Sequence, residues 1–167
     1  MMYQTKLTPA EDDRAILEAM SRMANVIRRS SSDVYMKAGQ NREKHLAHNI
    51  QGARGELAVA RYLGLPWTGE GPNGRDRKDV GDYVEVRTTS YSNNLIVKHV
   101  EQLKNDASTP YVLVWHRGQA TIQIIGWITL GDALDIGEHY EQRGIWYSRV
   151  HYPTLRDIKE LQCLIRS

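Results

Sequence analysis

The run Tyr111-Val-Leu-Val-Trp115 constrains this chain more than any other stretch. Uninterrupted apolar residues of strand length mark a strand covered on both faces, because neither side can be left in water. Layers must therefore lie above and below it. Arg117-Gly118 turns the chain, and Thr121-Ile-Gln-Ile-Ile-Gly-Trp-Ile128 returns as a second strand. Upstream, Asn93-Asn94 marks a turn between a strand at 84–89 and another at Leu95-Ile-Val-Lys-His99, and the pair reads as a hairpin. A short helix or loop fills 100–109, a short helix starts in Leu130–Leu134, and a short strand falls within 144–149.

Helices frame this region. Over 8–29, Thr8 caps, Pro9 suits the first turn, and Glu11, Asp12 and Asp13 complement the helix dipole. Ile16, Met20, Met23 and Ile27 form its apolar stripe. Ser30-Ser-Ser-Asp33 breaks it, and 34–50 is polar and helical in part, interrupted near Gly39. Gly52-Ala-Arg-Gly-Glu-Leu-Ala-Val-Ala-Arg-Tyr-Leu-Gly64 reads as a helix whose small residues allow close approach to a sheet, with Gly64 ending it. At the C-terminus Leu155, Ile158, Leu161 and Ile165 share one helix side. Helices, then a strand region, then a helix make an α/β or α+β chain of one domain over 1–167.

Composition removes several function classes. With 41% hydrophobic and 25% charged residues, the chain is ordinary globular material that can bury a core without staples. A formal charge of +2 permits a nucleic-acid partner without demanding one. The one cysteine, Cys163, rules out an intrachain disulfide and a cysteine-rich zinc site, and its apolar neighbours predict a small buried hydrophobe. His45 and His48 share a helix face but have no third ligand nearby, and take no role. No stretch approaches the ~20 apolar residues of a membrane span, and the N-terminus has no signal-peptide run. The expectation is a cytoplasmic protein of a bacterium or a phage-infected host.

Chemistry concentrates in Asp79-Val-Gly-Asp-Tyr-Val-Glu-Val-Arg-Thr-Thr89. A turn runs into a strand where Val84, Val86 and Thr88 face one way and Glu85 and Arg87 the other. An edge strand with a solvated ion pair is the plainer reading of that pattern. Glu56 is an acid in the first turns of an otherwise apolar helix, and Arg75, Arg77 and Lys78 cluster just before the strand, in a loop over 67–79.

Glu56 on a small-residue helix, Asp79 before a strand and Glu85-Val86-Arg87 on it resemble the PD-(D/E)XK nuclease superfamily, with Arg87 where lysine is usual. Gly55–Ala60, Asp79-Val80-Gly81, Val86–Thr89, Leu95-Ile96-Val97 and Gly126-Trp127-Ile128 also look like a group of small phage and prophage proteins thought to carry this fold. The similarity spans roughly 50–150. It implies a restriction-endonuclease-like core over 46–167, with a mixed central sheet of about four strands flanked by helices, and an added helical part over 1–45. It further implies hydrolysis of DNA phosphodiesters with Mg²⁺ or Mn²⁺. Asp79 and Glu85 would be the carboxylate ligands, and Glu56 would act through a water or help to set the ion's position. Arg87 would donate to a phosphate oxygen, and Arg75, Arg77, Lys78 and Lys98 would hold the backbone. Arginine cannot serve as general base, so Lys98 or Lys78 is the substitute ammonium. Asp82 is the rival to Asp79 as ligand, disfavoured because Gly81-Asp82 reads as the turn itself. Many such nucleases pair to cut two strands, so a homodimer fits. The alternative is a degenerate member that binds DNA or a host protein without cleaving.

Overall fold

The computed structural model describes residues 2–29, 42–67, 78–118 and 120–167. In chain order these form β1 (Tyr3–Lys6), α1 (Pro9–Arg29), α2 (Arg42–Leu63), β2 (Glu85–Ser90), β3 (Leu95–Lys98), a 3₁₀ turn (His99–Leu103), β4 (Pro110–His116) and β5 (Thr121–Thr129). There follow α3 (Leu130–Ile136), β6 (Glu138–Gln142), β7 (Ile145–Val150) and α4 (Ile158–Arg166). A mixed four-stranded sheet has the order β1-β5-β4-β2, and a second sheet has the order β3-β7-β6.

β4 occupies the place its composition demands. Tyr111 to Trp115 are all buried. Val112 and Val114 point into a core shared with α1, α2 and α4, whereas Tyr111, Leu113 and Trp115 point into a second core shared with α3 and the second sheet. β4 runs parallel to β2 and antiparallel to β5. The β4–β5 register shifts at Leu113/Val114, leaving Ile125 unmatched. That bulge exchanges the faces of β5: Ile122 and Ile124 enter the first core, and after it Trp127 does so while Ile125 and Ile128 enter the second.

The predicted hairpin of β2 and β3 does not form. Asn93 N–H donates to Ser90 across the turn, but the chain then leaves the first sheet, and β3 pairs antiparallel with β7. β3 does not take up the outer edge of β2, because Leu95 and Val97 are buried in the second core instead. The N-terminal part is also not purely helical, since β1 pairs with β5 inside the main sheet. Its neighbour α1 begins in a reciprocal cap: Glu11 N–H donates to Thr8 Oγ1 (3.2 Å) and Thr8 N–H to Glu11 Oε2 (2.8 Å).

The stripe of α1 is shifted from the predicted one. Ala15 and Ala19 are fully buried, whereas Leu17 and Met20 are exposed and Ile16 and Met23 only half-buried; the side chain of Ile27 lies outside what is described. Small residues let α1 lie close to α2, and ion pairs bridge the two helices: Arg54 Nε to Asp12 at 2.6 Å and Arg61 Nη1 to Glu11 at 2.7 Å. α2 runs unbroken through Gly52 and Gly55 from Arg42 and ends at Gly64 as predicted. The interruption near Gly39, the Ser30–Asp33 cluster, and Arg75 and Arg77 lie outside the described residues. Cys163 is exposed, contrary to the predicted burial, because Ile158 and Leu161 carry the inward side of α4. Among the described residues no helix is long and apolar enough to cross a membrane.

A candidate carboxylate–guanidinium site

The start of β2 is positioned by a tight turn. Val80 and Val84 exchange backbone hydrogen bonds (Val80 N–H to Val84 O, 3.1 Å; Val84 N–H to Val80 O, 3.0 Å), with Gly81 and Asp82 between them at φ +60° and +54°. Glycine takes that region freely and aspartate tolerates it, so the pair makes the hairpin-type turn its sequence suggests. Asp82 is exposed at its tip. Asp79 instead folds back, and its Oδ2 accepts the Val86 N–H at 2.8 Å. The carboxyl of Asp79 is thereby fixed beside the first residues of β2.

Val86 enters the core beneath α2, so alternation sends Glu85 and Arg87 to the opposite face. Glu85 is buried, at 7% exposure, rather than solvated as an ordinary surface pair would be. Its Oε1 accepts from Asn105 Nδ2 (3.1 Å), which also donates to the Tyr111 hydroxyl (2.8 Å). Its Oε2 lies 3.4 Å from Arg87 Nη1, and that nitrogen is 3.9 Å from Asp79 Oδ2. The second terminal nitrogen of Arg87 is hydrogen-bonded to Glu101, itself buried, and the guanidinium carbon lies 5.0 Å from the Tyr111 ring centroid. Glu101 Oε2 also accepts the Lys98 N–H at 2.8 Å, which closes the first turn of the 3₁₀ segment.

Glu56 reaches the site from α2. It is 6% exposed, and Arg22 of α1 donates to both its oxygens, Nη1 to Oε1 at 2.9 Å and Nη2 to Oε2 at 2.6 Å. Trp67 Nε1 donates to Oε2 as well, at 3.0 Å. Such a bidentate fork fixes the position of the carboxylate. Burial acts to lower the Arg22 pKa, but Glu56 and then Glu18 raise it on balance, so the guanidinium stays charged.

The electrostatics follow from this crowding. Burial, then the charges of Glu56 and Glu85, push the Asp79 carboxyl well above the usual carboxylate range, against the Val86 N–H and Arg87, which pull it down. Burial opposes the charge on Arg87, yet Glu101, Glu85 and Asp79 more than offset it and raise its pKa. The Tyr111 hydroxyl is pushed up by burial and then by Glu101, so it stays protonated. Carboxyls thus outnumber guanidiniums here, and Asp79 bears the consequence.

Of the residues singled out in the sequence, the structure brings Asp79, Glu85 and Arg87 together, with Glu56 near enough for its charge to act on Asp79. Glu56 has both oxygens engaged by Arg22 and Trp67, and among the described residues no group of three or more potential metal ligands is gathered. The donor set therefore suits an ion held by two carboxylates, Asp79 and Glu85, with waters, a coordination Mg²⁺ accepts. It does not suit direct ligation by Glu56. Lys78 is half-buried, and Lys98 is exposed on β3. Sequence reasoning missed Arg22, Trp67, Glu101, Asn105 and Tyr111 as parts of the site. Only Glu101 left a signal, an acid three residues after Lys98 in the spacing of a back-bonding cap.

No protein-family model matches the chain, and neither a curated protein nor a solved structure is similar enough to count as a match.

Proposed function

We propose that this protein is a Mg²⁺- or Mn²⁺-dependent nuclease acting on DNA, built on a restriction-endonuclease-like core. The observation that carries the reading is the convergence of Asp79 and Glu85 beside Arg87 at the start of β2, where burial and then the charges of Glu56 and Glu85 push the Asp79 pKa upward. Like charges held together in a partly buried place are relieved by a proton or a cation, and such perturbed groups cluster at functional sites. The parallel β2–β4 pair, with α2 packed upon it and antiparallel β5 alongside, suits that core.

Each side chain has a distinct task. Asp79 and Glu85 hold the ion, their orientations fixed by the Val86 N–H and by Asn105. The ion, when bound, supplies charge neutralisation and a more acidic water. Glu56, locked by Arg22, adds negative field without ligating. Arg87 keeps its proton and donates to a phosphate oxygen, stabilising charge that develops in the transition state. Lys78 and Lys98 are the described cations that a phosphate backbone would meet.

A second reading has its own observation. Arg87 is already held by Glu101, Glu85 and Asp79, an internal cation where one from solution would otherwise be drawn. That favours a degenerate nuclease-fold protein that binds DNA without cutting it.

Incubating plasmid and oligonucleotide DNA with the protein and Mg²⁺ or Mn²⁺ decides between them. The nuclease reading expects cleavage that disappears in Glu85→Ala and Asp79→Asn and persists or rises in Arg87→Lys. Intact DNA that is nonetheless bound, with affinity falling steeply as salt rises, transfers the case to the second reading. Neither cutting nor binding removes both.

A further inference from the structure

His99 and His139 lie apart from the carboxylate site and on different elements. His99 opens the 3₁₀ turn after β3, and His139 is the second residue of β6. Those strands are not neighbours, because β7 runs between them. Even so, His99 Nε2 and His139 Nδ1 stand 2.9 Å apart, with ring centroids 4.9 Å apart and planes at 85°. Two ring nitrogens have been brought together across a sheet, and the pair is open to solvent.

A proton shared between the rings satisfies that distance. So does a metal ion. Two nitrogens in adjacent positions of a tetragonal or octahedral ion, at bonds of about 2.0–2.1 Å and roughly a right angle, stand about 2.9 Å from each other. A tetrahedral centre would need them about 3.3–3.4 Å apart at the same bond length. The separation therefore suits Cu²⁺ or Ni²⁺ better than Zn²⁺, and imidazole is a ligand these ions favour. The hard ions suited to Asp79 and Glu85 prefer oxygen and have little affinity for such a pair.

We propose that His99 and His139 form a two-imidazole chelate for a borderline divalent transition ion, Cu²⁺ before Ni²⁺, with water completing its coordination. Glu141 projects from the same face of β6 as His139, but its Oε1 accepts the Gly144 N–H of the hairpin turn at 3.0 Å and stays there. Chelation joins β6, the outer strand of its sheet, to the segment that carries Glu101.

The structure also supplies a reporter. The half-exposed Trp146 indole stacks on His99, with centroids 6.2 Å apart and planes at 29°. A paramagnetic ion on His99 quenches an indole so placed. Cu²⁺ is titrated into the full chain at neutral pH, with tryptophan fluorescence, calorimetry and electron paramagnetic resonance as readouts. The expected result is one ion per chain with two nitrogen donors, and quenching that disappears in Trp146→Tyr while binding persists. His99→Ala and His139→Gln each weaken binding by on the order of 10–100-fold, the scale on which even losing a ligand's hydrogen-bond partner acts. Glu85→Ala leaves the titration unchanged, which separates this site from the carboxylate one. Stoichiometric binding that survives in the double histidine variant places the ion elsewhere and overturns the proposal. So does a wild-type resonance spectrum without nitrogen couplings, whatever the variants do.

Discussion

At the scale of the residue, Asp79 carries the tension of the site. Burial and the charges of Glu56 and Glu85 hold its pKa well up in the folded chain, whereas an unfolded chain returns it to about 3.9. The folded state therefore keeps this proton to higher pH than the unfolded state does. The stability it contributes is fully present below about pH 4 and is lost as pH rises through the folded value. Asp79→Asn removes the titration and retains an oxygen for the Val86 N–H. The variant should melt above wild type at pH 7–8, with the difference shrinking toward pH 4. Millimolar Mg²⁺ should close the gap at the higher pH by stabilising wild type alone, since an ion bound only by the folded chain adds to its stability. Thermal melts over that pH range, with and without Mg²⁺, check both parts. A wild type that gains on Asp79→Asn as pH rises would show that Asp79 is not strained by its neighbours.

At the scale of the element, the decisive contact is α2 against β2. Gly55 faces Thr88, and a Cβ there would overlap the Thr88 hydroxyl and lie 3.1 Å from its Cβ. Among the described residues the Thr88 Oγ1 is itself buried without a hydrogen-bond partner, so α2 gains close approach at the cost of a stranded hydroxyl. Gly55→Ala should destabilise the fold by about 1–3 kcal/mol, the usual cost of overpacking. Thr88→Ala should recover part of that loss in the double variant, a coupling that chemical denaturation of the four proteins measures. That this helix lies close against a sheet was legible in its small residues, and the alternation of β-branched residues marked the strand, but not that Gly55 meets Thr88. The same alternation placed Glu85 and Arg87 on one face, and the turn residues set Asp82 apart from Asp79. The partners of these side chains were not legible. Arg22 lies 34 positions from Glu56, and Asn105 lies 20 from Glu85, distances at which no local period carries information. The missed assignment of β3 has a related cause. A turn at Asn93-Asn94 reverses the chain whether or not the two strands pair, and only the burial of Leu95 and Val97 against α3 and β7 decides that they do not.

At the scale of the whole molecule, the main sheet separates two cores, and β4 is the wall between them. Its alternate residues feed one core and then the other, so neither can loosen without moving the strand that closes the second. The sequence marked β3 and a short strand within 144–149 but not the sheet they share, because β6 is polar and mostly exposed while β7 buries only Ser148 and Val150. The carboxylate site sits at the rim of this wall. Val86 anchors it in the first core, and the Tyr111 ring, part of the second, lies under Arg87. Coupling between the cores is therefore a condition for holding Glu85 and Arg87 in place. Leu113→Ala opens a cavity in the second core and Ile124→Ala one in the first, each at about 2–5 kcal/mol. For a chain of this length each kcal/mol lowers Tm by roughly 2–4 °C. Both variants should unfold in one step, with far-ultraviolet circular dichroism and tryptophan fluorescence falling together as two-state behaviour requires. Trp115 reports from one core and Trp127 from the other, so separate fluorescence and dichroism transitions in either variant would mean that the cores melt independently. In that case the wall is a seam, and the site at its rim would lose Arg87 from Tyr111 before the α1–α2 side unfolds.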